Sequence, residues 1–206
     1  MGEYERTKPV KETEWTRVYK WGDSYVYQSK FLRDGLRVSA ESIMARWPTL
    51  SFEERLDFAQ AFSHGGKATA DDDRILDFLM EAGDFDIWMA IAVRLARHGD
   101  KGRVVAFLLE RIKEEGEHKA NFFLALALMR DMRALPVLRA TYDGYRKRLA
   151  TNPASVAESD YMDFLYCCEA LWKIEGSAEY KRVIQDALES QEEAVRTTAD
   201  LILRHS

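Results

Sequence analysis

A small or medium-sized residue followed by a large apolar one recurs along the chain at nearly constant spacing. The pairs are Ala61-Phe62, Arg94-Leu95, Ala127-Leu128, Ala170-Leu171 and Ile202-Leu203. The intervals between them are 33, 33, 43 and 32 residues. A period of this length is typical of repeat proteins, in which stacked units share a core that one unit cannot bury alone.

The spacing around each pair is helical. A further inward position lies three residues before the small residue, at Phe58, Ile91, Leu124, Cys167 and Ala199. It forms an i, i+4 pair with the large residue on one helix face. A second amphipathic segment follows each break, and a first helix is predicted from Leu36 to Trp47, ending at Pro48. The sequence thus predicts an all-α repeat domain over residues 36–206, with about five helical pairs.

Residues 1–35 do not follow this pattern and form a separate, aromatic-rich segment. Gly22-Asp23 separates two alternating runs, TRVYKW and SYVYQS, which favours a short β-hairpin over a broken helix. Because the end of a repeat array exposes an apolar face, we expect this segment to cap the first repeat. Folding back onto the array or binding a partner are the alternatives.

Three stretches of the chain resemble HEAT repeats. EEAVRTTADLIL (192–203) is similar to the second helix of such a repeat, RALPVL (133–138) to the first helix, and ALWKIEG (170–176) to the end of the second. The resemblance implies a right-handed α-α superhelix, a HEAT-like solenoid whose second helices line a concave binding face. It implies fold far more specifically than function.

Composition narrows the classes of function. The formal net charge of −5 argues against a general binder of nucleic-acid phosphates. No apolar run approaches the roughly twenty residues of a membrane span, and the first residues lack the apolar region of a secretory signal. The adjacent Cys167 and Cys168 are expected to be reduced thiols of a cytoplasmic protein.

An apolar surface on the second helices is the first candidate site. On a helical wheel several apolar residues point away from the shared core, and the helix FFLALALM is apolar all round. The alternative is a wide buried arc on a central helix. The predicted partner-binding residues of the concave face are Trp88, Met89, Val93, Phe122, Leu126 and Met129.

A basic stretch is the second candidate. Arg139, Arg146, Lys147 and Arg148 lie close together, with Arg130 and Arg133 upstream. Helical DNA glycosylases of the HEAT-like class use a basic surface with an aspartate and aromatic residues. This sequence has no convincing version of that constellation, so a solvated outer face is the competing interpretation.

The remaining motifs do not predict a specific catalytic or ligand-binding activity. His64, His98, His118 and His205 are scattered, so we predict no metal site and no cofactor. Asp71, Asp72 and Asp73 suit the start of a helix, where acids interact favourably with the dipole. GGKAT (65–69) lacks the first glycine of a phosphate loop and follows a helix, so it is not interpreted as a phosphate loop. The segment 150–160 is predicted to be an inserted loop.

These patterns predict a scaffold or adaptor that binds another protein or peptide through its concave face. No group of residues forms a catalytic constellation, so enzymatic activity is not predicted. Two alternatives come from other classes: a nucleic-acid-binding or DNA-glycosylase-like HEAT protein, and a bilin lyase-like or chaperone-like HEAT-repeat protein, which needs a pocket for a tetrapyrrole.

Overall fold

The computed structural model describes residues 8–21, 24–65, 69–114, 118–151 and 158–205. Its contacts divide the chain into two compact units, Met1–Arg94 and Leu95–Ser206. The described residues are mostly helical, with one small antiparallel sheet near the N-terminus. The boundary predicted after residue 35 lies inside the first unit.

The first unit combines the sheet with α-helices. Its elements are β1 (Lys11–Glu12), β2 (Thr16–Trp21), β3 (Ser24–Ser29), α1 (Lys30–Arg33), α2 (Ala40–Arg46), a 3-10 turn (Trp47–Thr49), α3 (Phe52–Ser63), α4 (Ala70–Ala82) and α5 (Phe85–His98), which continues into the second unit.

The predicted hairpin is confirmed. β2 lies between β1 and β3 and pairs with both in antiparallel register, with Val18 opposite Tyr27. The rival interpretation, a broken helix, is wrong for these strands, because all six residues of each run pair across the two strands. The turn residues Gly22 and Asp23 lie outside the described residues.

Side-chain caps set the helix starts in this unit. The predicted helix from Leu36 begins only at Ala40, because the Ser39 side chain accepts a hydrogen bond from the Ser42 N–H and so caps the helix there. Thr69 and Asp72 form a reciprocal capping box at the start of α4. Pro48 falls within the 3-10 turn and ends α2, as predicted.

The sheet packs on α3 through aromatic rings. Phe58 of α3 lies edge-on to Trp15, with ring centroids 5.3 Å apart, and edge-on to Phe31 at 5.8 Å. Both rings of the N-terminal segment are buried, as is Phe58. The aromatic segment therefore covers α3, as expected both for a cap and for a segment folded back onto the array.

A carboxylate fixes the sheet to α3. Thr13 Oγ1 donates to Asp57 Oδ2 at 2.6 Å, and Thr16 Oγ1 donates to Asp57 Oδ1 at 2.7 Å. Replacing Asp57 by alanine removes the carboxylate that both hydroxyls bind. We therefore expect Asp57→Ala to lower the free energy of unfolding by about 1–3 kcal/mol, measured by urea denaturation. The exposed Gln60→Ala on the same helix is the matched control, and equal effects of the two changes would contradict this role.

The second unit is entirely helical in its described residues. Its elements are α6 (Lys101–Lys113), α7 (Ala120–Met129), a 3-10 turn (Met132–Ala134), α8 (Leu135–Thr151), α9 (Glu158–Glu175), α10 (Ala178–Asp186), a 3-10 turn (Ala187–Glu189) and α11 (Glu193–Arg204). The predicted loop 150–160 is shorter than expected, since helix extends to Thr151 and resumes at Glu158; residues 152–157 lie outside the described part.

Helix α9 is the centre of this unit and packs against α7, α8, α10 and α11. Its inward residues Cys167, Ala170 and Leu171 are fully buried, as the repeat pattern predicted. The prediction for α7 is wrong at Leu128, which is 47% exposed. Because α7 packs against both α6 and α9, its apolar residues are buried on two sides, and of the predicted pair Ala127-Leu128 only Ala127 is buried.

A side chain of α9 caps the start of α7 through a long-range hydrogen bond. The carboxylate of Asp163 accepts the Lys119 N–H at 2.8 Å, and its burial raises the pKa of Asp163. Lys119 Nζ donates to the Ile112 carbonyl at 2.8 Å and to that of Glu114, at the end of α6. Burial lowers the pKa of Lys119. These two residues therefore satisfy backbone groups at two helix ends that the helices leave unpaired.

Candidate functional site

The predicted residues of α5 lie in the first unit and are half-buried. Trp88, Met89 and Val93 each keep part of their surface accessible. The Trp88 indole N–H donates to the Leu79 carbonyl at 3.1 Å, so this ring is held against the end of α4. Gly83 lies beside it, and a Cβ at that position would be only 2.9 Å from Trp88 Nε1. Trp88 therefore has a structural role at the α4–α5 turn.

The predicted residues of α7 are in the core of the second unit. Phe122 and Leu126 are fully buried and Met129 nearly so. The prediction that they face outward is wrong, because α7 has neighbours on two sides and buries a wide arc. Their surface is not available to a partner in this structure.

The basic stretch lies mainly on α8, and most of its charges have partners. Arg139 Nε donates to Glu175 at 2.9 Å, and Arg148 lies 3.6 Å from Asp160. The Arg146 guanidinium stacks over the ring of Tyr142. Lys147 is exposed. Upstream, Arg133 lowers the pKa of Asp131 to about 2 by hydrogen bonding. This surface therefore resembles a solvated face with local ion pairs more than a phosphate-binding stripe.

The two thiols are buried in the core of the second unit. Cys167 Sγ lies 3.5 Å from the Leu138 carbonyl, and burial raises the pKa of both Cys167 and Cys168 well above 9.0. A thiol with a raised pKa is a poor nucleophile at neutral pH, because little thiolate forms.

Burial of these thiols predicts alkaline destabilisation. The unfolded thiols lose their protons near pH 9, whereas the folded ones retain them, so stability is full below that pH and falls above it. We expect the loss to approach about 1.4 kcal/mol per pH unit for each thiol once the pH exceeds that value, measured by urea unfolding between pH 7 and pH 10. The variant Cys167→Ala/Cys168→Ala should lose less stability between pH 8 and pH 9.5; an unchanged slope would contradict the assignment.

The described residues contain no cluster of side chains that could bind a metal ion. Within the described ranges, no three His, Cys, Asp or Glu side chains are grouped so that they could hold an ion. His64 Nδ1 lies 2.8 Å from the Gln60 carbonyl near the end of α3, so this imidazole is placed at a helix terminus. Of the GGKAT segment, residues 66–68 lie outside the described part.

A groove between α2 and α4 is the surface that the sequence analysis missed. Its apolar floor consists of Met44, which is 40% exposed, and the half-buried Phe78. The Phe78 ring packs edge-on against the buried Trp47, with centroids 5.6 Å apart, so the floor rests on the core of the first unit. The residues that line the groove are Met44, Arg74, Asp77, Phe78 and Glu81.

The groove follows directly from the faces of the two helices. On α4, Arg74, Asp77, Phe78 and Glu81 fall at i, i+3, i+4 and i+7 and form one stripe.

The volume of the groove is about 220 Å³, below the roughly 300–1,000 Å³ of clefts that hold drug-sized ligands. A space of this size suits one or two side chains of a partner rather than a large cofactor.

Charged groups surround this floor. Arg74 Nη1 lies 2.5 Å from Glu41 and 3.8 Å from Asp71. Hydrogen bonding to Arg74 lowers the pKa of Glu41. An apolar floor with a polar rim is the usual anatomy of a protein–protein contact. No local sequence signal marks this groove, because the closeness of Met44 and Phe78 depends on how α2 and α4 pack.

None of the helices in the described ranges combines the length and the apolar character that crossing a lipid bilayer requires. Comparisons with protein-family models, with curated proteins and with solved structures found no match to this chain.

Proposed function

We propose that this chain is a protein-binding module and that the α2–α4 groove receives side chains of a partner protein. The observation that carries the proposal is the accessible apolar floor of Met44 and Phe78 inside a charged rim. Methionine and aromatic side chains adapt to varied apolar partners and are frequent at binding surfaces. The concave apolar set is not retained as the main contact, since half of its residues are buried.

We also propose that the helices form a HEAT-like right-handed superhelix. Helix packing inside the second unit supports this arrangement: α9 packs against both α7 and α11, and the recurring residue pair lies on all three helices. In a repeat array, equivalent helices of neighbouring units are packed in this way.

The two other classes of function have less support. The nucleic-acid alternative depends on arginines of α8, two of which pair with carboxylates of α9. The tetrapyrrole alternative depends on a large pocket, and the groove volume of about 220 Å³ is small for such a ligand.

Site-specific photocrosslinking tests the proposal. p-Benzoylphenylalanine replaces Met44 in one variant and Met132 in the control; Met132 is 63% exposed in the second unit. We expect an extract of the native host to give a discrete adduct only from position 44. Excess wild-type protein should suppress that adduct, and excess Met44→Gln should not. Equal adducts from both positions, or none from position 44, would remove the groove as a binding site.

A further inference from the structure

Two tyrosines of the aromatic N-terminal segment are not part of its core. The other described aromatic side chains of that segment are buried, whereas Tyr25 is 59% and Tyr27 is 71% exposed. Both lie on β3, two residues apart, so their side chains leave the same side of the sheet about 7 Å from each other. Packing against α3 therefore does not account for these two rings.

Two exposed lysines lie beside the tyrosines. Lys20 is directly opposite Tyr25 in the antiparallel register. Lys11 is one strand further away and on the same side of the sheet as Tyr27, because Val18 lies opposite both. Neither lysine forms an ion pair within the described part of the chain. We call this surface the tyrosine face; it consists of Lys11, Lys20, Tyr25 and Tyr27.

The carboxylates of the surrounding described residues lie away from the tyrosine face. Glu12 is the one acidic residue within the described strands, and it lies on the other side of the sheet, where it binds two cationic side chains. Asp57 accepts a hydrogen bond from Thr16, which is about 13 Å along β2 from Lys20. The turn residue Asp23 is outside the described part. In the described residues, the tyrosine face thus combines exposed rings with positive charge.

This combination restricts the chemistry of an occupant. A nucleobase stacks on an exposed aromatic ring whatever its sequence, because every base has a π-face, and the phosphates that join the bases attract ammonium groups. Two rings at successive outward positions of a strand suit two unstacked bases of one chain, an arrangement that sheets use to bind single-stranded RNA. A duplex does not fit, since its bases are already stacked on each other.

We propose that the tyrosine face binds single-stranded nucleic acid, with one base on Tyr25, one base on Tyr27 and phosphates beside Lys11 and Lys20. The site is separate from the α2–α4 groove and does not depend on the function proposed for that groove. A chain with a net charge of −5 can form it, because stacking requires no excess of basic residues. With two neutralised phosphates, the logarithm of the affinity should fall with the logarithm of the salt concentration at a slope of about −1.4.

Four fluorescein-labelled probes of the same length test the proposal. They are a single-stranded DNA of twelve nucleotides, the RNA of the same sequence, the DNA duplex, and an abasic DNA strand that keeps every phosphate. Fluorescence anisotropy measures their binding to the full chain over a series of salt concentrations. We expect the single strands to bind, and we expect the duplex and the abasic strand to bind about tenfold more weakly or less. The ratio of the DNA and RNA affinities shows which source of single strand the face prefers.

Matched variants separate stacking from folding. Tyr25→Thr/Tyr27→Thr removes both rings but keeps β-branched residues, which favour strands, and Tyr25→Phe/Tyr27→Phe keeps the rings. We expect the threonine variant to bind the single strands at least about 30-fold more weakly than wild type, and the phenylalanine variant to bind them as wild type does. Phe52→Ala, which removes an exposed ring of α3, is the control. Circular dichroism melts check that each variant folds.

A lysine variant tests the phosphate contacts. Lys20→Gln should reduce the salt slope from about −1.4 to about −0.7, because one neutralised phosphate is lost. Lys147→Gln removes an exposed lysine of the second unit and should leave the slope unchanged. Equal effects of the two changes would show that the overall charge of the protein, and not the tyrosine face, determines the response to salt.

The other outcomes are equally decisive. Equal binding of the abasic strand or of the duplex would exclude base stacking and overturn the proposal. The proposal also fails if neither single strand binds, or if the threonine variant binds them as wild type does. A labelled peptide of alternating glutamate and leucine residues represents the competing occupant, an acidic protein segment. If that peptide binds wild type but not the threonine variant, and the single strands do not bind, the face is a protein contact instead.

Discussion

Phe122→Ala should lower the free energy of unfolding by about 3–5 kcal/mol, the cost of removing a large side chain from a packed core. Phe122 is fully buried in α7. Since a domain is commonly stable by only about 5–15 kcal/mol, this single change should bring the second unit close to unfolding. Urea denaturation followed by circular dichroism provides the measurement.

Leu128→Ala on the same helix is the control. Its side chain is 47% exposed, so we expect a loss of less than about 1 kcal/mol. The contrast tests the orientation of α7 directly, because the repeat pattern predicts the opposite order of effects. A larger loss for Leu128→Ala than for Phe122→Ala would show that the outward-facing assignment of Phe122 was right after all.

Arg94→Ala should also lower the free energy of unfolding strongly, by about 3–5 kcal/mol. Arg94 Nη2 donates to Asp72 Oδ2 at 2.9 Å, and both side chains are almost completely buried. The guanidinium also stacks over the Phe62 ring at 4.3 Å, and burial lowers the pKa of Arg94. Removing Arg94 leaves the buried carboxylate of Asp72 without its counter-charge.

The Arg94–Asp72 ion pair contributes less to the free energy of unfolding than the loss caused by Arg94→Ala suggests. Nε and Nη1 of Arg94 are buried without a hydrogen-bond partner among the described residues, and each unmet donor costs about 1–3 kcal/mol. We therefore expect Arg94→Met/Asp72→Asn to recover most of the stability that Arg94→Ala loses. The side-chain amide introduced at position 72 retains an acceptor for the Thr69 N–H, which Asp72 binds at 2.9 Å. The exposed Arg97→Ala is the control in thermal unfolding, and a double variant as unstable as Arg94→Ala would refute the account.

Local patterns were sufficient to predict the elements that local forces determine. The alternation of TRVYKW and SYVYQS predicted the hairpin, because only a sheet places every second residue on one face. Helical spacing around Ala170-Leu171 predicted the buried face of α9 correctly. Pro48 predicted the end of α2, since proline cannot continue a helix interior.

Features that depend on packing between distant segments were not predictable in this way. FFLALALM is apolar on every side, so its periodicity contains no information about which face is buried. The groove needs α2 beside α4, with Glu41 and Arg74 33 residues apart in the chain. Nothing in the local sequence of Met44 distinguishes an exposed groove residue from a core residue.

The cap that Asp163 provides for α7 has a consequence for synthesis of the chain on the ribosome. The acceptor of the Lys119 N–H lies 44 residues further along the chain, and α9, which covers α7, is made only then. Until that segment has left the exit tunnel, the apolar residues of α7 have no partner helix on that side. The nascent second unit therefore passes through an interval in which chaperones can recognise it, and α7 and α9 become stable together rather than one after the other.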